Sequence, residues 1–279
     1  MVTALPHHLS RLSRLASTLL VAAVLLPGGH ASAAEEREVI QVLDPSRHTA
    51  QERPLVFTVD PTTPSAGTAS VGYSFGLGSG IAADRPLPVN MASASGSHTM
   101  SAAYGLSSRL APFVSASFAD VGTSTSTSSV SAGLTWQLTS PGAPLRASVS
   151  GAGVHEGTGG ANGVSALAAA SLDLGRLRIV GNVRADRLFA AGRDRLDTFV
   201  MAGATARVAG GLRAGVEYVG QDLEGMFAAD AEGGARHAVG PTVALDLDGG
   251  RYQLAVGAGF GVGPRSPEAI VRGLFAFSL

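Results

Sequence analysis

The sequence contains no cysteine and no lysine, and few of its residues are aromatic or charged. The absence of cysteine excludes a disulfide scaffold, a thiolate zinc site, a cysteine nucleophile and a lipid attached to an N-terminal cysteine. Aromatic residues make up 5% and charged residues 15%, whereas 45% are hydrophobic and 37 of the 279 residues are glycine. This composition fits neither a disordered chain nor a typical charged cytosolic enzyme. The formal net charge of -1 also argues against a nucleic-acid partner, which would need a basic surface.

Long hydrophobic runs are missing as well, apart from a stretch near the N-terminus. Arg11 and Arg14 precede residues 15–26, which are weakly polar to apolar, and Ala31-Ser32-Ala33 then matches an A-x-A cleavage site. About a dozen apolar residues are too few for a spanning helix, which needs roughly 20. Residues 1–33 are therefore predicted to be a signal peptide, removed after export through the Sec pathway.

Residues 34–65 differ in composition from the remainder of the chain. They begin with an acidic run at 35–38, and Pro54, Pro61 and Pro64 interrupt any regular element. This region is predicted to be a periplasmic N-terminal segment or linker. Its residues 54–59 could either pair as a short strand or dock inside another part of the protein, and the sequence does not decide between the two.

From residue 66 onward, apolar residues recur at every second position, as in strands with one apolar face. Val130, Ala132, Leu134 and Trp136, for example, alternate with serine, glycine and threonine. Ten strands are a possible alternative, because the Ala-rich stretches 163–173 and 197–208 alternate weakly and could be helical. The pattern predicts twelve strands, near 66–78, 96–106, 109–119, 127–139, 144–154, 163–173, 176–186, 197–208, 211–220, 236–248, 251–262 and 268–279.

The connections between these strands alternate between short and long. The short ones are tight turns at 106–108, 140–142, 173–175, 210–211 and 248–250. The long ones fall at 79–95, 120–126, 155–162, 187–196, 221–235 and 263–267. A soluble sandwich has no reason to sort its loops by parity, and its exposed faces would carry charge. The predicted fold is therefore all-β, an up-and-down antiparallel transmembrane β-barrel over residues 66–279.

The aromatic residues independently support a membrane-spanning barrel. One group falls at the short-turn ends of the predicted strands and another falls toward the long-loop ends. Two aromatic belts at opposite depths are typical of a barrel that crosses two membrane–water interfaces. The first belt comprises Tyr104, Trp136, Tyr252 and Phe277, and the second comprises Phe75, Phe118, Tyr218 and Phe260.

With this pattern, residues 66–279 resemble the transmembrane β-barrel proteins of the bacterial outer membrane, at the level of architecture and of no one subfamily. Such proteins commonly finish on a strand whose last residue is aromatic or apolar. Here Phe275, Phe277 and Leu279 alternate to the C-terminus, although Leu279 stands in place of the usual Phe and Gly273 interrupts the series. The resemblance implies an outer-membrane location in a Gram-negative envelope. It also implies contact with outer-membrane lipid and lipopolysaccharide, and recognition of the last strand by the barrel-insertion machinery.

If the apolar faces meet lipid, the opposite faces line a lumen that is small and net basic. Twelve strands enclose more space than side chains such as glycine and serine can fill, so water or a plug must occupy the remainder. The arginines could form buried ion pairs with the acidic residues, or unpaired arginines could line an aqueous path and favour anions. The predicted inward charges are Arg146, Arg178, Arg184, Arg207, Arg213 and Arg272, with Asp186, Glu217 and Asp246.

Three local patterns resemble sites of chemistry, and each has a simpler structural explanation. The alternating glycines at 76–80 and 257–261 are not followed by a helix, as a dinucleotide loop would be. Residues 246–250 lack the later ligands of a calcium loop and fit a hairpin turn. His155-Glu156 with Thr158 and Asn162, or His98 near Ser101, could belong to an outer-membrane hydrolase only if their geometry were right. No catalytic residue, metal or cofactor is predicted.

The function predicted from these features is a narrow pore or diffusion channel for small solutes with a mildly basic lumen. A non-conducting barrel for adhesion or envelope structure, acting through the acidic loop 222–232, is the alternative from another class. An outer-membrane hydrolase is the third possibility.

Overall fold

A computed structural model describes residues 56–79, 96–120, 126–157, 160–189, 196–221, 236–262, 266 and 268–279. No helix among these residues is long and apolar enough to cross a membrane. The described strands are β1 (Ala69–Ser79), β2 (Gly96–Tyr104), β3 (Leu110–Asp120), β4 (Ser126–Gln137), β5 (Leu145–Glu156), β6 (Asn162–Leu174), β7 (Leu177–Leu188), β8 (Asp197–Ala209), β9 (Leu212–Gln221), β10 (Arg236–Leu247), β11 (Tyr252–Gly261) and β12 (Ala269–Ser278).

The twelve described strands form one closed antiparallel barrel in which each strand pairs with its neighbours along the chain. β1 pairs with β12 from Ser70 opposite Ser278 to Ser79 opposite Ala269, which closes the barrel. The backbones of Ala69 and Leu279 extend this closure through two hydrogen bonds of 3.3 and 2.9 Å. The predicted fold class and the count of twelve strands are confirmed.

The alternative of ten strands is wrong, because the Ala-rich residues of β6 and β8 are both strands. β6 pairs with β5 on one side and β7 on the other, and β8 pairs with β7 and β9. Hydrogen bonding to two neighbours outweighs the intrinsic helix propensity of alanine, which is a small local preference.

The connections at one end of the barrel, the short-turn rim, are 105–109, 138–144, 175–176, 210–211 and 248–251. The other end, the long-loop rim, lies mostly outside the described residues. The turn predicted at 173–175 is misplaced, because Leu174 still pairs with Leu177 and Gly175 adopts the positive φ of 65° that a tight hairpin turn needs. Residues 246–250, which resemble the start of a calcium loop but are predicted to be a hairpin turn, contain a short 3-10 turn, Asp248–Gly250.

The two faces of the barrel wall are as the alternation predicts. Leu134 and Trp136 are 51% and 57% exposed on the outer face of β4, whereas the adjacent Gln137 is 2% exposed. Such an apolar outer band on a closed barrel suits a bilayer, since pairing of each strand with two neighbours satisfies backbone polar groups within the wall. The inner faces define the lumen.

Candidate functional site: the lumen and the segment inside it

Residues Val56–Pro64, here called the lumenal segment, lie inside the barrel against side chains of its inner wall. The segment runs from mid-barrel beside Glu217 to the short-turn rim beside Gln137, and the chain then enters β1. The sequence left open whether residues near 54–59 pair as a strand or dock, and in the structure the described part docks. Pro61 and Pro64 favour an extended path without regular hydrogen bonding.

Glu217 on β9 holds the mid-barrel end of the lumenal segment. One of its carboxylate oxygens accepts the N–H of Val56 at 2.9 Å, and the other accepts those of Phe57 and Thr58 at 2.7 and 2.9 Å. The Glu217 residue is only 1% exposed. A charged acceptor with three N–H donors makes strong hydrogen bonds and satisfies backbone groups that the extended segment would otherwise leave buried and unpaired.

Three further side chains hold the lower part of the segment. Asn182 on β7 accepts the N–H of Val59 at 2.7 Å and donates to its carbonyl at 2.8 Å, as a neighbouring strand would. Arg178 lies on the same strand, nearer the short-turn rim than Asn182. It forms a buried ion pair with Asp60. At the rim, Gln137 accepts the N–H of Thr63 at 3.2 Å.

The ring of Phe57 occupies an apolar cluster inside the lumen. The ring is 5% exposed, and Val56 and Leu167 pack against the same cluster. Gly257 and Gly259 on β11 leave the space for this part of the segment, since a Cβ built on them would meet Val56 at 3.4 Å and Phe57 at 3.6 Å. Gly257 and Gly259, two of the glycines that resemble a nucleotide loop in sequence, thus form an inner surface that fits the segment. The buried cluster consists of Phe57, Phe199, Met201, Val219, Ala238 and Ile270.

The other half of the lumen is open and is lined by hydroxyl groups together with apolar side chains such as Phe113 and Leu167. A cavity of about 380 Å³ lies there between the segment and the inner faces of β1–β6, and Arg184, Met201, Arg272 and Leu274 complete its lining. Hydroxyl groups directly opposite one another bridge neighbouring strands, with oxygens 2.7–2.9 Å apart for Ser115 with Ser131 and Thr99 with Ser117. The lumenal segment therefore occupies part of the space that the sequence predicts to be in excess, and this cavity is the part that protein atoms leave empty. The hydroxyl-bearing residues of the barrel wall that line it are Ser70, Ser74, Thr99, Ser101, Ser115, Ser131, Thr135, Ser148, Ser150 and Ser165.

The predicted lumen charges occupy the alternate positions of their strands that face inward. Arg184 binds Asp186 at 2.7–2.8 Å on β7, and Arg146 on β5 pairs with Asp173 on β6. Asp173 also lies 3.7 Å from Arg178. Near the short-turn rim, Arg213 is buried, Asp246 is half-buried and Arg207 is exposed. Arg272 on β12 lies with its guanidinium 5.5 Å from the ring centroid of Phe57.

Sequence reasoning missed the two carboxylates that bind Arg178 and Arg146. Asp60 looks like a linker residue between prolines, and Asp173 looks like part of a turn. The parity of β6 carries the signal for Asp173, because odd-numbered residues of that strand face inward. No local pattern marks Asp60, which reaches its partner across 118 positions of sequence.

The predicted aromatic belt positions lie on the outer wall. Phe75, Phe118, Trp136 and Phe260 are 39–57% exposed, as are Tyr104 and Tyr252, whereas Tyr218 and Phe277 are partly covered. Tyr252 pairs with Phe277 across β11 and β12, which places both at the short-turn rim. On the last strand Phe275 is 38% and Leu279 is 67% exposed. Gly273 leaves space on the outer face for the ring of its partner Phe75, which explains the interruption of the apolar series.

The residues considered for a hydrolase do not assemble into a triad among the residues described. His155 hydrogen-bonds Asn162 at 2.9 Å on the outer face, and Thr158 lies outside the described residues. His98 binds the hydroxyl of Tyr73 at 2.7 Å, also on the outer face, whereas Ser101 lines the cavity inside the barrel. In the described part of the chain, no group of three or more histidine and acidic side chains is arranged to hold a metal ion.

No protein-family model matches the chain, and no curated protein matches it in sequence. Solved structures do match. A protein described as KdgM porin is 8% identical with a TM-score of 0.51, over 75% of this chain and 99% of that one. An outer-membrane channel from Pseudomonas putida F1 is 13% identical with a TM-score of 0.54, over 79% and 98%. LpxR from Salmonella typhimurium, 11% identical over 75% and 99%, has a TM-score of 0.39.

The chain therefore has the fold of bacterial outer-membrane β-barrels, and the predicted architecture-level resemblance is confirmed. A bacterial outer-membrane location agrees with this fold, because a closed barrel with an apolar outer band can cross a bilayer with strands. The two structures with the higher TM-scores carry the names of channels.

Proposed function

We propose that this protein is a narrow outer-membrane channel for small polar solutes, constricted by its own lumenal segment. The single observation that carries the proposal is the cavity of about 380 Å³ between the segment and the hydroxyl-lined wall of β1–β6. Hydroxyl groups can exchange hydrogen bonds with a passing solute, so they favour a polar path over a sealed apolar core. The names of the two similar structures agree with this class.

The proposal divides the lumen into two parts with different roles. The charged wall of β7–β12 anchors the segment through Glu217, Asn182 and Arg178, while the wall of β1–β6 borders the path. Arg184 and Arg272 are the arginines at the border of the cavity, and they give the path its mildly basic character. The same proposal includes the removal of residues 1–33 as a signal peptide and a periplasmic location for residues 34–65. It also includes contacts with lipopolysaccharide and with the barrel-insertion machinery.

Single-channel recording of the refolded chain in planar bilayers tests this proposal. We expect a small conductance in the wild type and a larger one when the anchors of the segment are removed. A salt gradient should reveal a weak preference for anions that diminishes as salt screens the arginines, over about 10 Å at 0.1 M. A barrel that stays closed with the segment in place and with its anchors removed would contradict the channel.

A second candidate is the non-conducting barrel, and one observation favours it. The segment is held by a buried ion pair and by backbone hydrogen bonds to three side chains, which is a firm attachment for a movable constriction. The acidic loop 222–232, through which such a barrel would act, lies outside the described residues. Absence of conductance in every variant would favour this candidate.

A further inference from the structure

Arg272 has open hydrogen-bond donors inside the cavity. Its guanidinium lies over the Phe57 ring, 5.5 Å from the ring centroid, and borders the same cavity as the hydroxyl groups of the wall. Among the described residues it has no hydrogen-bond or ion-pair partner. A guanidinium has five N–H donors, and a cation–π contact with an aromatic ring takes up none of them in a conventional hydrogen bond. Whatever occupies the cavity is therefore what satisfies Arg272.

The charged groups around Arg272 already have hydrogen-bond partners within the protein. Arg184, which also borders the cavity, has its Nε and one terminal nitrogen bound to Asp186. Glu217 attracts Arg272, but its oxygens accept the N–H groups of the lumenal segment. Asp186 therefore compensates Arg184 by direct contact, whereas among the described residues no carboxylate hydrogen-bonds the guanidinium of Arg272. Its open donors distinguish Arg272 from Arg184.

We propose that Arg272 binds the carboxylate of a small hydroxylated solute within the lumen. The planar fork of a guanidinium matches the two oxygens of a carboxylate, which can accept two parallel hydrogen bonds. Serine and threonine hydroxyls line the same cavity and bind the hydroxyl groups of the solute. A volume of about 380 Å³ limits the ligand to a small molecule. The role of the site in transport rests on the proposed channel, whereas binding itself does not require conduction.

Isothermal titration of the refolded full chain in detergent tests the site. D-gluconate serves as the probe because it carries both a carboxylate and hydroxyl groups, and sorbitol serves as its uncharged counterpart. Inorganic phosphate separates a carboxylate site from a general oxyanion site. The variants are Arg272→Gln, Arg272→Lys and, as the matched control, Arg207→Gln at the exposed short-turn end of β8. Heat-modifiable migration on gels shows which samples contain a folded barrel.

We expect gluconate to bind the wild type and Arg207→Gln equally, and Arg272→Gln at least ten-fold more weakly. Arg272→Lys should lie between them, since an ammonium keeps the charge and loses the fork. Unchanged binding in Arg272→Gln, equal binding of sorbitol, or tighter binding of phosphate would overturn the proposal. So would a folded wild type that does not bind gluconate. These measurements do not require conduction. A barrel that binds gluconate but does not conduct would therefore contradict the proposed channel function and leave the proposed binding site in place.

Discussion

The side-chain amide of Asn182 pairs with the backbone of Val59 through two hydrogen bonds, of 2.7 and 2.8 Å. An amide side chain presents the same donor and acceptor as a peptide group, so Asn182 takes the place of a strand neighbour for a chain that has none. Together with Glu217, it recognises the backbone of the lumenal segment more than its side chains. The segment is therefore attached to the wall without becoming a thirteenth strand.

Glu217→Gln should weaken this attachment and increase conductance. The amide nitrogen that replaces one carboxylate oxygen cannot accept a hydrogen bond, and its own N–H groups would face those of Val56–Thr58. Hydrogen bonds to a charged group contribute about 1.5–3 kcal/mol each, so the loss is large for a short segment. Asp246→Asn, which neutralises an inward carboxylate near the short-turn rim, is the matched control. Equal single-channel conductance in the two variants would contradict the anchoring role of Glu217.

Leu134 and Thr135 test which face of the wall meets lipid. Leu134→Arg places a charge on the exposed apolar face, which costs roughly 2–4 kcal/mol near the bilayer midplane. Thr135→Arg points into the hydroxyl-lined cavity and should lower the free energy of unfolding much less. Urea titration of the folded barrels in lipid vesicles measures both. Similar losses in the two variants would mean that the faces are assigned incorrectly.

Phe75 and Gly273 should show an energetic coupling across the seam that closes the barrel. The ring of Phe75 occupies the space that a side chain at position 273 would need. We expect Gly273→Ala to destabilise the barrel in the wild type and to have little effect when Phe75 is already Ala, with a coupling of about 1 kcal/mol. Urea unfolding of the four proteins in the cycle gives this energy, and additive effects would rule out the packing of the ring on the glycine.

The orientation of the barrel can be tested by thiol labelling, because the chain has no cysteine of its own. Cysteine at Gly192 or Ala228, in the predicted long loops, should react with an impermeant maleimide on intact cells. Cysteine at Pro141, on the short-turn rim, should react only after the outer membrane is opened. Labelling of the Pro141 variant on intact cells would reverse the orientation.

The strands and their faces could be predicted from the sequence because alternation is a local property. Val130 and Leu134 lie within a few residues of each other and identify the outer face of β4. This assignment needs no knowledge of how the barrel closes. The anchors of the lumenal segment could not be predicted, because Val56 and Glu217 are 161 positions apart. Glu217 and Asn182 look like ordinary inward polar residues until the segment lies beside them. Asp60 carries no periodic signal at all, since prolines remove the regular backbone around it.

The most direct test of the account asks whether the position of the lumenal segment controls conduction. A Cβ at Gly257 would lie 3.4 Å from Cγ2 of Val56, so the two positions are in side-chain contact and can be joined experimentally as the pair Val56→Cys and Gly257→Cys. In a Glu217→Gln background, this pair should lock the segment to β11 under oxidising conditions and release it under reduction. We predict that single-channel conductance in one bilayer rises when dithiothreitol is added and falls again on reoxidation, with no response in Glu217→Gln alone. The same conductance in the oxidised and reduced states, with the disulfide verified by mass spectrometry, would contradict it.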